Sequence, residues 1–210
     1  MSDHVVSPRR AETRARLFDA AVTVFASRSI GSTSVEQLCE AAGFTRGAFY
    51  SNFHDMDELA YELFAMLHER MLNAVREAVE RVDGSGSESL EDALSLAVET
   101  FLDVTGSSDL DHVITLLELR VHALRNPRLR KVLHDRESQL EPMFVELFSV
   151  TAERFGARFI IPPEQVNFLL DALLLKATIQ SGMQGREGSD RQIVKRALLT
   201  TLDQIVVPRG

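Results

Sequence analysis

The stretch from Ser34 to Phe53, SVEQLCEAAGFTRGAFYSNF, narrows the possible folds more than any other part of the chain. Val35, Leu38, Cys39 and Ala42 recur at helical spacing, and Gly43 follows where a helix ends and the backbone must turn left-handed. Thr45 then offers a side-chain oxygen as an N-cap, so Arg46 to Asn52 reads as a second, short helix. Ala48 and Phe49 face inward. Arg46, Gly47, Ser51 and Asn52 face elsewhere, with Tyr50 at the border. Helix, glycine turn, helix, with small residues at the crossing, is a plan that places a helix in the major groove of DNA. Upstream, a helix over about Pro8–Ala26 carries the stripe Leu17, Ala20, Ala21, Val24 and Phe25, which supports the hairpin. Ser34, with Gln37 three residues later, reads as a capping box that starts the first hairpin helix. Thr33 and Ser34 there bring hydroxyls and free N–H groups to a helix N-terminus, where an anion is favoured.

The run from Arg14 to Leu59 resembles the DNA-binding head of the tetracycline-repressor (TetR) family. The words that carry the resemblance are AAVTVFASRSIGSTSVEQLCEAAGFTRGAFYSNF and DMDEL. They combine an alanine-rich first helix, the Gly31 turn, Thr33-Ser34, Ala42-Gly43, Gly47, Phe49-Tyr50, Phe53 and an acidic start to the next helix. The match covers the first quarter of the chain. It implies a three-helix head whose third helix reads bases with its first turn, at Thr45, Arg46 and Gly47. It implies phosphate contacts from Thr33, Ser34 and Tyr50. Ser51, Asn52 and His54 complete the expected DNA-binding set. Arg46 can donate two hydrogen bonds to guanine O6 and N7, and Gly47 lets the backbone approach the groove closely. One departure stands out. Met56 occupies a position where the family usually has a phosphate-contacting lysine, which removes one charge-assisted contact.

The net charge of −8 fits DNA binding only once it is divided. Residues 1–54 hold six arginines against five acidic residues, so the head is mildly basic and the rest of the chain carries all the acidic excess. Of the head's arginines, Arg9, Arg10, Arg14 and Arg16 precede or enter the first helix. They read either as a basic arm toward phosphates or as a solvated helix start. The single cysteine, Cys39, excludes an intrachain disulfide framework and a cysteine zinc cluster, and on the inner helix face it reads as a small apolar core residue. No apolar run is long enough to span a membrane, and the N-terminus has no signal-like stretch. A cytoplasmic protein is expected.

The expected fold class is all-α, with a three-helix head at 1–54 and a larger C-terminal effector-binding and dimerisation domain at 55–210. Asp55, with Glu58 three residues on, caps a long fourth helix ending near Val82. DGSGSES at 83–89 breaks the chain. Helices follow at about Leu90–Val104, Leu110–Leu124 and Pro127–Phe155, with GSSD at 106–109 capping the second and Asn126-Pro127 opening the third. Pro142 is expected to kink or split that third helix. GARFIIPP at 156–163 reads as a connector and GMQGREGSD at 182–190 as a flexible join. The last two helices, Val166–Ile179 and Ile193–Val207, carry apolar residues on more than one face. Either they are buried in their own core, or they pair with a second copy as a four-helix bundle. The family resemblance implies the pairing.

Met66, Met71, Phe101, Leu116, Leu117, Phe144 and Phe148 would suit either an apolar pocket or an ordinary helical core, so the ligand site stays unassigned. Glu118 and His122, four apart, read as a surface ion pair rather than as metal ligands with His112. No catalytic motif, cofactor or metal site is expected. The expected function is a DNA-binding transcriptional regulator of bacterial type: a repressor that binds a palindromic operator as a homodimer and is released by a small-molecule effector. Two other readings compete with it: a helical small-molecule-binding protein whose head no longer reads DNA, and a helical enzyme.

Overall fold

The computed structural model describes residues 8–86, 89–105, 110–183 and 191–209. The described chain runs α1 (Pro8–Ser27), a 3-10 turn (Ile30–Ser32), α2 (Val35–Ala42), α3 (Arg46–Tyr50), α4 (Met56–Gly84), α5 (Leu90–Thr105), α6 (Leu110–Arg125), α7 (Pro127–Arg154), β1 (Ala157–Phe159), α8 (Pro163–Met183), α9 (Arg191–Ile205) and β2 (Val206–Pro208). The expected arm before Pro8, the join at 106–109, part of the break at 83–89 and most of the join at 182–190 lie outside the described residues.

Local chemistry explains where these helices begin. The Gln37 amide donates to Ser34 Oγ at 3.2 Å and the Ser34 amide donates to Gln37 Oε1 at 2.9 Å, a complete capping box for α2. Gly43 closes α2 at φ 70°, ψ 32°, and the Phe44 amide reaches back to the Cys39 carbonyl at 2.9 Å. Asp55 caps α4 by accepting from the Glu58 amide at 2.8 Å. Ser89 does the same for α5 through the Asp92 amide at 3.1 Å. Asn126 Oδ1 accepts from the Arg128 and Leu129 amides, with Pro127 at the first position of α7, where its missing N–H costs nothing.

The chain forms two compact units. The first takes the chain up to Ala65 together with Ile114–Leu133; the second takes Met66–Val113 and His134–Gly210. In the first, Leu17, Phe25, Leu38, Phe49, Phe53 and Leu63 are fully buried. Each large side chain contributes about 1.5–3 kcal/mol by leaving water. Phe53 packs against Phe18 and Phe49, both at 5.6 Å between ring centroids. Two arginines lie over aromatic rings of this unit. Arg14 lies over the Phe53 ring at 4.5 Å, donates to the Asn52 carbonyl at 3.2 Å and pairs with Glu62. Arg16 lies over Phe44 at 4.6 Å and donates to the Ala42 carbonyl at 3.0 Å, satisfying an end carbonyl of α2. Arg14, turned inward, fits neither the basic arm nor the solvated helix start, whereas Arg16 stays exposed to solvent while it caps α2.

Three side chains of α6 reach other parts of the first unit. Thr115 donates to the Val22 carbonyl at 2.9 Å, Glu118 accepts from the Ile30 amide at 2.9 Å, and His122 Nε2 lies 2.7 Å from Asp57 Oδ1. Asn126 donates to the other Asp57 oxygen at 2.8 Å. The expected Glu118–His122 ion pair is therefore replaced. Each residue has a better partner on an element far away in sequence, and these contacts outweigh an i,i+4 pair, which contributes only about 0.2–0.5 kcal/mol.

In the second unit, Leu102 of α5 packs with Leu174 of α8 and with Val194 and Leu198 of α9. Val166, Leu202 and Ile205 form a second cluster with Phe148 and Phe159 around it. Three of the expected pocket or core aromatics, Phe101, Phe144 and Phe148, lie in a row with successive centroids 6.1 and 6.2 Å apart. Three expectations are corrected here. The stretch 156–163 is not a bare connector, because Ala157–Phe159 pairs antiparallel with Val206–Pro208, Arg158 opposite Val207. The last helix stops at Ile205 rather than Val207. The β-branched pair Val206-Val207 suits an extended strand, and Pro208 cannot donate to a continuing helix. Of the kink or split expected at Pro142, the split does not occur: α7 continues through Pro142, which donates no backbone bond there.

Candidate nucleic-acid interface

The outer surface of the α2–α3 hairpin is built by the same residues that cap its helices. Thr45, at φ −88°, ψ 159°, accepts from the Ala48 amide at 3.3 Å and so fixes the first turn of α3. That turn presents Arg46 and Gly47 to solvent, while Phe49 on the opposite side is fully buried. Five residues form a marginal helix by themselves. Here Phe49 and Phe53 anchor α3 to the core, and a cap at each end completes it. At the C-terminal end, Ser51 Oγ donates to the Gly47 carbonyl at 2.7 Å.

Gly47 has no internal justification. Its φ is not positive, and a Cβ placed on it would meet only Thr45 Oγ1, at an ordinary 3.7 Å. Glycine inside a helix costs up to about 1 kcal/mol relative to alanine. Gly43 contrasts with it: its φ is +70° and a Cβ there would crowd the Arg16 guanidinium at 3.2 Å, so the fold itself requires that glycine. At Gly47 the space is open toward solvent, beside Arg46 and Tyr50.

The other expected site residues fall into two groups. Ser34, Thr45, Arg46, Gly47, Tyr50, Ser51 and His54 are exposed. Tyr50, 50% exposed, is held edge-on against Phe49 at 5.3 Å. His54 projects outward with its ring Nδ1 3.2 Å from Asp55 Oδ2, and its amide donates to the Glu58 carboxylate. Thr33 and Asn52 turn inward. Thr33 is buried and its hydroxyl donates to the Ser29 carbonyl at 2.9 Å. Asn52 donates through Nδ2 to the Ala48 carbonyl at 2.8 Å. Met56, the first residue of α4, is half-buried and brings no charge to this surface.

Sequence reasoning passed over one residue here. Glu36, in the first turn of α2, places Oε1 2.6 Å from Arg46 Nη1. A hydrogen bond at its own backbone, with the Arg46 charge and the Ser34 hydroxyl adding to it, holds the Glu36 carboxyl below the usual range. A side-chain hydrogen bond with Tyr50 first, and the Glu36 charge second, push the Arg46 guanidinium above its already high value, so it is charged at every relevant pH. Nothing in the spacing of the two residues marks this contact, since it depends on how α2 crosses α3. Cys39 lies beneath, buried, with Sγ 3.6 Å from the Thr45 carbonyl; burial pushes its thiol pKa up, which favours the protonated thiol.

Residues 17–63 match the family model for bacterial regulatory proteins of the tetR family. The chain is 30% identical over 125 residues to the HTH-type transcriptional regulator TtgR of Pseudomonas putida, covering 60% of this chain and 50% of that one. The chain spans about half the length of the curated relatives it matches. Its fold extends further. The fatty acid degradation regulator FadR of Bacillus halodurans superposes with a TM-score of 0.70 at 20% identity, over 90% of this chain and 96% of that one. A TetR-family regulator from Cytophaga hutchinsonii superposes with a TM-score of 0.68 at 19% identity, over 95% and 97%. Head sequence and whole-chain fold agree: residues 17–63 match the tetR-family head of bacterial regulatory proteins, and the chain as a whole has the fold of a solved TetR-family regulator.

Proposed function

We propose that the chain is a DNA-binding transcriptional regulator, a repressor that binds a palindromic operator as a homodimer and leaves it when a small-molecule effector binds. The observation that carries the DNA-binding reading is Gly47. A helix glycine with no steric or backbone reason inside the protein points to a partner that approaches from outside, and it lies in the first turn of the helix-turn-helix reader. Arg46 and Thr45 would read base edges, while Ser34 and the N-terminus of α2, Tyr50, Ser51 and His54 would meet the backbone. Thr33 and Asn52, whose side chains are engaged inside the head, would support this surface from behind. The proposed division of labour is a DNA-binding region at 1–54 and an effector-binding and dimerisation region at 55–210.

The dimer reading rests on α8. Its Val166, Leu174 and Thr178 are buried within the chain, yet Phe168 is 77% exposed and Met183 84% exposed on the same helix. A helix that is apolar on its outer side as well is suited to burial against a second copy. A two-fold axis would then set the two reader helices about 34–36 Å apart, one turn of DNA, or a multiple of it. No helix among the described residues is long and apolar enough to cross a membrane, and a cytoplasmic regulator without catalytic activity is part of the same proposal. The test is selection of bound sequences from random duplex DNA by the purified protein at fixed salt. A palindromic motif is the expected result. A folded, dimeric protein that enriches nothing would overturn the regulator in favour of a ligand-binding protein whose head no longer reads DNA.

A further inference from the structure

We propose that Glu36 is a specificity-determining residue of the head: its carboxylate holds the Arg46 guanidinium as a fixed fork, so that Arg46 reads a base rather than neutralising whichever phosphate is near. The inference rests on the DNA-reading function proposed above and assigns a role to a residue outside the expected contact set.

The geometry gives Arg46 two restraints. Glu36 Oε1 lies 2.6 Å from Nη1 on one side, and the Tyr50 ring lies 5.8 Å from the guanidinium carbon on another. Arginine carries five N–H donors in a rigid plane, so one edge can be given to a carboxylate while the other donors remain for a base. Both side chains stay more than half exposed, 59% for Arg46 and 55% for Glu36, so the pair stands on the outer surface of the hairpin and not in its core. An ion pair this exposed contributes little to stability. It also places a negative charge on the surface proposed to face a polyanion, a cost that any non-specific complex bears without compensation. In a specific complex, the arginine arrives already oriented. Favouring one partner by raising the cost of the others is a general route to specificity. A favourable interaction of Glu36 with the N-terminus of its own helix coexists with this role and requires nothing of Arg46.

The experiment compares full-length wild type, Glu36→Gln, Arg46→Ala and the double variant. The readouts are sequence selection, affinity for the selected site and for a scrambled duplex across a salt series, and thermal unfolding. In the Glu36→Gln protein the released arginine is free to meet a phosphate. Its affinity for the scrambled duplex should rise, and the log–log salt slope should steepen by about 0.9. Discrimination at the base read by Arg46 should fall about three- to tenfold, part of the full effect of a bidentate contact. The unfolding temperature should stay near that of the wild type. In the Arg46→Ala background, Glu36→Gln should leave base choice unchanged. A Glu36→Gln protein with wild-type base choice and salt slope overturns the proposal while leaving the DNA-binding function intact. So does an equal loss of discrimination with and without Arg46. A wild-type protein that selects no motif overturns both.

Discussion

Replacing Gly47 with alanine should make the protein more stable and a worse binder of DNA, and the two effects can be sized separately. Gly47 is the second residue of α3, its φ is negative, and the added methyl would meet only Thr45 Oγ1 at 3.7 Å. Nothing in the protein must move. The gain is therefore the ordinary reduction in unfolded-chain freedom, about 0.4–1 kcal/mol. For a chain of this length that corresponds to a rise of roughly 1–4 °C in Tm. On DNA the same methyl would stand between the first turn of α3 and the base edges. A displacement that weakens even one bidentate contact costs about 1.4 kcal/mol or more, a tenfold loss in affinity. Calorimetry gives the first quantity, and titration of the selected operator by fluorescence anisotropy gives the second. Unchanged operator affinity in a stabilised Gly47→Ala protein would refute the idea that DNA approaches this glycine. A destabilised variant would refute the claim that the fold itself has no need of it.

Three further outcomes follow from individual contacts. Arg14→Ala should cost about 1–3 kcal/mol, because it strips Glu62 and the Asn52 carbonyl of a charged donor and uncovers Phe53; Arg14→Lys should not restore it, lacking the planar fork. Its salt slope on DNA should match the wild type, whereas a phosphate-contacting arginine would lower the slope by about 0.9. Asp55→Ala should remove the α4 cap at a cost of about 0.5–2 kcal/mol in chemical denaturation. The Glu58 amide holds the Asp55 carboxyl below its ordinary value, so its contribution is complete above the unfolded pKa of about 3.9 and is lost as pH falls through the lower folded value; the wild-type advantage over Asp55→Ala should shrink only below about pH 4. Phe168→Glu should yield a folded monomer in sedimentation equilibrium, and a dimer of unchanged affinity would show that α8 pairs elsewhere or not at all.

What the sequence made legible is what is decided locally. Ser34 with Gln37, Thr45 before α3, Gly43 after α2 and Asp55 with Glu58 each announce a helix end within four residues, and the capping bonds form where that spacing places them. The β1–β2 pair was not legible because its register joins residues nearly fifty positions apart: Phe159 opposes Val206, and Val206 also continues the apolar stripe of α9. A period-based reading has no reason to stop the helix there. Glu118 and His122 show the same limit in side chains, since their spacing suggests each other while their partners, the Ile30 amide and Asp57, come from distant elements.

The arginines of the head carry that limit into function. Counted along the sequence, they make the head mildly basic. In space, Arg14 turns inward over Phe53, Arg16 caps the end of α2, and Arg46 is paired with Glu36. Three of the head's six arginines thus have partners within the protein, and Met56 adds no charge at the start of α4. Counterion release, which dominates non-specific binding, scales with the cations free to meet phosphate. With Arg14 turned inward, Arg46 paired with Glu36 and no charge at Met56, that term is expected to be small for this head. Affinity for an operator would then depend on oriented donors: the N-terminus of α2, the first turn of α3 and the restrained fork of Arg46. Such a head would bind poorly to arbitrary DNA and gain most of its affinity from the right sequence, so a shallow salt dependence on the operator and a large ratio of specific to non-specific affinity should occur together.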